Sequence, residues 1–154
     1  MGEAHKYNTH MNRTREIADT PEKGQKRYQL YKSAIDRYQK ALKEGFYLEA
    51  ITLMESLITD RLESILIYHG IIRPEEAFRM LGPCITELQK VQGVLSDDLL
   101  VQLNNWRKDR NKSLHEIAKI EEGDPAIFNQ RYSSLQQVAK DGYKLFQSIK
   151  KETR

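Results

Sequence analysis

Apolar side chains return every third or fourth residue along most of this chain, which is the period of a helix with one buried face. No segment alternates in the manner of a strand. Thr20-Pro21-Glu22 reads as a helix start: a capping hydroxyl, a proline at the first helical position, then an acid. That helix is expected to run to about Lys43 with Tyr28, Tyr31, Ile35, Tyr38 and Leu42 inward. After Gly45 a second helix is expected from Phe46 to about His69, stopped by Gly70. Its main stripe is Tyr47, Ile51, Met54, Ile58, Leu62 and Ile65. Leu53, Leu57 and Ile67 widen the apolar surface, so this element should be the most buried. Two short helices follow, Pro74 to about Leu81, broken by Gly82-Pro83, and Cys84 to Gln92, ended by Gly93.

Ser96-Asp97-Asp98 then caps a long helix, Leu99 to Ala118, which Glu121-Glu122-Gly123 ends. Asp124-Pro125 opens the last helix, to about Lys151, with Phe128, Tyr132, Leu135, Ala139, Tyr143, Phe146 and Ile149 inward. The expected architecture is an all-α, up-and-down bundle of four long helices over residues 20–151, with a short helical insertion between the second and third. Residues 1–19 are polar and aperiodic and read as a flexible N-terminal tail.

One position breaks the pattern. Leu99, Leu103, Trp106, Leu114 and Ile117 form a stripe, and at roughly 100° per residue Arg110 falls in its middle. An arginine there is costly unless it is paired or used. Glu55, on the inward side of the second helix, is a charge of opposite sign that could answer it. A buried ion pair would fix the register of two helices. Alternatively Glu55 would hold Arg110 as a phosphate ligand, since the guanidinium fork has donors for both partners. Beside Arg110 stand Asn111 and His115, four residues apart on one face, with Arg107, Lys108 and Lys112 as a basic flank. A neutral imidazole next to phosphate-binding cations is what metal-free RNA cleavage requires. One group takes the 2′-hydroxyl proton while others stabilise charge at the phosphorus.

Composition narrows the setting. The 154 residues are 31% charged and 39% hydrophobic, those of an ordinary polar globular chain. No apolar run approaches the roughly 20 residues of a membrane span, and the N-terminus lacks the apolar core of a signal peptide. A cytoplasmic location is the default expectation. Residues 1–43 carry 10 basic and 5 acidic side chains, and residues 44–105 carry 4 and 10. Basic ends around an acidic middle are compatible with nucleic-acid contact but do not require it. The single cysteine, Cys84, reads as a buried thiol and excludes an internal disulfide. His5 and His10 make no credible metal site, so neither a metal nor a cofactor is expected. No phosphate-cradling glycine loop is present.

Arg110-Asn111-Lys112-Ser113-Leu114-His115 resembles the R-x(4–6)-H motif of the HEPN superfamily, in the form with a polar residue directly after the arginine. The helix order around it, with an inward acid on an earlier helix, is similar too. The resemblance implies a metal-independent endoribonuclease that leaves 2′,3′-cyclic phosphate ends, as in many toxins and phage-defence proteins. Arg110, Asn111 and His115 would be the catalytic residues and Glu55 a supporting one, with Arg107, Lys108 and Lys112 on the RNA backbone. It further implies a homodimer with the site at its cleft, and an antitoxin or other companion protein. The alternative is a non-catalytic helical dimer that binds a protein or RNA partner through the same surface.

Overall fold

In the computed structural model, residues 13–119, 122–123 and 127–153 are described. The expected tail over residues 1–12, with His5 and His10, therefore lies outside the described residues. So do Glu121 and the Asp124-Pro125 start of the last helix. The described residues are all-helical, with no strand among them. Four helices are long: α1 (Pro21–Glu44), α2 (Tyr47–Tyr68), α4 (Asp97–Glu116) and α5 (Phe128–Glu152). Between α2 and α4 lies the short α3 (Leu81–Gln89).

The helix ends follow local chemistry. Thr20 Oγ1 accepts from the Lys23 amide at 3.3 Å with Pro21 next to it, and Ser96 Oγ accepts from the Leu99 amide at 3.2 Å. Gly45 takes the left-handed conformation (φ 83°), and its amide bonds back to the last carbonyls of α1. α2 is the core element. It packs against α1, α3 and α5, and Ile51, Met54, Ile58, Leu62 and Leu66 are almost wholly out of water. α4 packs on α3 and α5 through Leu99, Leu100, Leu103 and Trp106. Phe146 and Ile149 of α5 complete the core.

Several expectations are corrected. Pro74 opens only a three-residue 3-10 turn, Pro74–Glu76, and residues 77–80 are irregular. Gly82-Pro83 does not break a helix but sits in the first turn of α3, where backbone N–H groups have no intrahelical acceptor and proline loses nothing. Tyr28 is not inward; it is 63% exposed. At its level of α1 the position facing α2 belongs to Arg27, whose Nη2 lies 2.8 Å from Asp60 Oδ2. Phe128, at the first position of α5, is likewise exposed and stacks on Tyr132 rather than entering the core. Residues 13–19 have no regular structure, yet Arg15 seats them firmly. Its Nη1 lies 2.5 Å from Asp60 Oδ1 and 2.8 Å from Glu63 Oε2, and its backbone N–H donates to Pro74 O.

Candidate functional site

The site grows from α4. Its first two turns are anchored by the Ser96 cap and by leucines, and Trp106 fixes its rotation. The indole is 4% exposed, and its Nε1 donates to Val138 O of α5 at 2.8 Å. One turn later the same face must meet α2, and there the side chain is Arg110. Its side chain is 12% exposed and Nη1 pairs with Glu55 Oε2, so the inward charge is answered by the inward acid. The pairing is incomplete: Arg110 Nε is buried with no hydrogen-bond partner among the described residues. A guanidinium has five N–H donors, and one carboxylate does not use them.

Arg107, Asn111 and His115 follow at four-residue spacing on the neighbouring strip of α4. Arg107 is half-buried. Its Nε and Nη2 donate to Asn104 Oδ1 at 3.2 and 3.0 Å, and its side chain lies across Gly82, at the start of α3. A Cβ added at Gly82 would stand 3.6 Å from Arg107 Cδ, an ordinary contact, so Gly82 permits this packing without being required for it. Asn111 is half-buried, and His115 and Lys108 are exposed. Lys112 is exposed on the outer side of α4, one turn beyond Lys108 and three residues before His115, and it also borders a groove of about 480 Å³ with Asp109 and Arg131. Of the sequence-predicted site residues, then, Glu55 and Arg110 are joined directly. Arg107, Asn111 and His115 share a face beside them, and Lys108 and Lys112 lie together further round the helix.

The end of α4 is held from α5. Arg131 Nη1 donates to Glu116 O at 2.8 Å and also reaches Ile117 O and Lys119 O, a cation on the carbonyls that a helix C-terminus leaves unsatisfied. His115 thus sits on a turn that is clamped rather than frayed.

A second polar cluster escaped the sequence reading. Glu63 is 4% exposed, and accepts from Arg15 Nη1 at 2.8 Å and from the Arg79 amide at 2.7 Å. Beside it, burial works to raise the Asp60 carboxyl, but hydrogen bonds from Arg15 and Tyr31 outweigh this and hold it below its ordinary value. Burial and the Asp60 charge raise the Tyr31 hydroxyl far above the usual phenol. The sequence signal for Glu63 was its position three residues before Leu66, on the flank of the α2 stripe. Its partner Arg15 lies 48 residues away, in a segment without periodicity. Cys84 is buried and its thiol is pushed up to about 12, chiefly by desolvation, so it is not a nucleophile.

No group of three or more His, Cys, Asp or Glu side chains suited to a metal occurs among the described residues, and no described helix is long and apolar enough to cross a membrane. Comparison of the chain with protein-family models, with curated proteins and with solved structures gives no match.

Proposed function

We propose that the face of α4 carrying Arg110, Asn111 and His115 is the active site of a metal-independent endoribonuclease of HEPN type. The observation that carries the reading is Arg110 itself. It is an arginine on a core face, oriented by Glu55, with donors to spare, followed one turn later by an exposed histidine. Glu55 holds the Nη1 side of the guanidinium and leaves the Nη2 edge for the scissile phosphate. The His115 imidazole takes the 2′-hydroxyl proton. The 2′ oxygen bonds to phosphorus, the bond to the 5′ oxygen breaks, and that oxygen leaves with a proton as a 5′-hydroxyl. Arg110 balances the charge that builds on the phosphoryl oxygens. Asn111 orients the imidazole or the phosphate, while Arg107 and Lys108 hold the flanking backbone. Lys112, one turn beyond Lys108 on the same strip of α4, extends that contact.

In the up-and-down bundle proposed here, a homodimer would set two copies of this face across a shared cleft, so that the second imidazole supplies the leaving-group proton. Phe78 and Met80, exposed on the segment leading into α3, and Leu48, two turns before Glu55 on α2, offer apolar surface for that contact. The second reading, a non-catalytic dimer that binds a protein or RNA partner, is favoured by the same ion pair. Glu55 already answers the Arg110 charge without any ligand.

The deciding experiment is cleavage of labelled total RNA in EDTA by wild type and by His115→Ala, with folding matched by circular dichroism. Cleavage to cyclic-phosphate ends by wild type alone is the expected result. No cleavage by either protein over a broad RNA panel refutes the nuclease and leaves the binding module.

A further inference from the structure

A separate surface runs along the seam where α1 and α5 lie side by side and antiparallel. Tyr31 packs near Phe146, and Tyr38 stacks on Tyr143 and donates to Ala139 O at 2.9 Å. At the other end Tyr132 of α5 donates to Gly45 O, just past α1. On the side of this seam turned away from α2, helical rotation brings up Tyr28, Lys32, Gln39 and Lys43 of α1, at i, i+4, i+11 and i+15. α5 answers with Gln136, Lys140, Gln147 and Lys151 at the same spacing. Because the helices run in opposite directions, Lys32 comes level with Gln147, Gln39 with Lys140, Lys43 with Gln136 and Tyr28 with Lys151. The lysines therefore alternate between the two helices along about 22 Å.

The seam is one-sided in charge. Lys32, Lys43, Lys140 and Lys151 are exposed, and none has a carboxylate in ion-pair range among the described residues. Arginines are placed otherwise: Arg27, Arg37, Arg79 and Arg110 each meet an acid. The acids of α5 face elsewhere, Asp141 into the groove beside α4 and Glu152 onto the Ser96 cap. On α1, Glu44 acts on Arg37 on the flank towards α2, and Asp36 stands on the outer crest between Lys32 and Lys40. A row of like charges repels itself, and a polyanion laid along it replaces the counterions it collects from water. Rings and amides stand among the cations. Tyr28 is 63% exposed, and Tyr143 is half-buried against the Tyr38 ring. Cations that follow a backbone beside an exposed aromatic face suit a single strand, whose bases are free to stack. Gln39 and Gln147 add donors and acceptors for base edges. A lipid surface asks instead for apolar side chains to insert, and the exposed Leu30 lies on the opposite flank of α1, beside the N-terminal segment.

We propose that the α1–α5 seam binds single-stranded nucleic acid, its phosphates on Lys32, Lys43, Lys140 and Lys151 and a base on Tyr28. The seam lies on the side of α5 away from α4 and uses no residue of the candidate nuclease face, so the two assignments stand or fall separately.

The test is fluorescence anisotropy of the full chain with labelled DNA and RNA strands of about 12 nucleotides and with the matching DNA duplex. Co-sedimentation with phosphatidylserine–phosphatidylcholine vesicles runs alongside. The DNA strand has no 2′-hydroxyl, so it stays intact whatever the α4 face does. Wild type is expected to bind both strands more tightly than the duplex and to leave the vesicles in solution. Combining Lys32→Gln, Lys43→Gln, Lys140→Gln and Lys151→Gln should weaken binding by at least about tenfold. It should also lower the slope of log affinity against log salt by about 3, at roughly 0.7 per phosphate contact on a single strand. Tyr28→Ala should weaken binding by about fivefold or more with the salt slope unchanged. Absence of strand binding by wild type at low salt overturns the proposal, as does undiminished binding by the combined lysine variant when its circular dichroism matches wild type. Binding lost instead in Lys108→Gln with Lys112→Gln assigns it to α4 and overturns the seam. Duplex binding as tight as strand binding overturns the single-strand assignment, and vesicle binding without strand binding makes the seam a lipid-facing surface.

Discussion

Gly142, in the middle of α5, inverts a familiar rule. Replacing an ordinary helical glycine by alanine stabilises a protein by about 0.5–1 kcal/mol, because alanine loses less backbone entropy on folding. At Gly142 an added Cβ would stand 2.7 Å from Trp106 Cζ2, 3.0 Å from Trp106 Cε2 and 3.0 Å from Met54 Cγ. The first distance is below any real carbon contact, so something must move. Met54 is flexible, but the indole is not free: it is buried, and its Nε1 is tied to Val138 O at 2.8 Å on the same helix. Forcing a methyl into such a junction costs about 1–3 kcal/mol. Set against the entropic gain, Gly142→Ala should be destabilised by about 0.5–2 kcal/mol, or roughly 1–8 °C in Tm for a chain of this length.

Gly24, near the start of α1, is the control, since a Cβ there meets nothing within 4 Å. Gly24→Ala should gain about 0.5–1 kcal/mol. Urea unfolding followed by the fluorescence of Trp106, the only tryptophan, measures both and reports directly on the strained contact. A Gly142→Ala midpoint at or above that of wild type would refute the reasoning, because the indole would then have yielded at no cost.

Three further outcomes follow from the polar contacts. Glu55→Gln leaves the Arg110 side chain, 12% exposed, without its counter-charge, and urea unfolding should show a loss of about 1–3 kcal/mol, whereas an unchanged midpoint would mean the pair carries no stability. The Asp60 carboxyl lies below its ordinary value in the folded chain, so its contribution is complete above an unfolded-state pKa of about 4 and is lost as pH falls through the lower native value. Asp60→Asn should therefore be less stable than wild type at neutral pH but show a flatter decline as pH falls below about 4, and parallel acid limbs would count against the assignment. Arg131→Met removes donors from the carbonyls that end α4. Amide exchange in the last turn of that helix should quicken by about five- to tenfold, equivalent to roughly 1 kcal/mol, and no change would show the clamp to be idle.

The Arg110–Glu55 contact was legible before any coordinates because it rests on periodicity: each residue holds a place where its own helix demands an apolar side chain. Arg107, Asn111 and His115 were legible as a face for the same reason, since four-residue spacing on a helix is a statement about space. That Lys108 and Lys112 lie one turn apart follows from the same angle, whereas the groove that Lys112 borders with Arg131 was visible only once α5 was in place. Phe128 departs from its stripe because it opens α5, where the stripe continues in sequence but the core does not reach, and Tyr28 departs because at its level Arg27 takes the position that faces α2.

Local chemistry along the chain determined that this protein is helical, where the caps of α1 and α4 sit, which face of α2 is buried, and that one arginine is out of place. Those properties depend on a few consecutive residues and on a fixed rotation per residue. Tertiary structure alone decided the rest: Arg15 seated on Asp60 and Glu63, Arg131 closing the end of α4, Gly142 pressed against Trp106, and Arg61 with no carboxylate partner among the described residues. Each depends on which helices become neighbours, and the free energy of such a pair comes from desolvation and partner geometry across many intervening residues. No repeat along the chain carries that information.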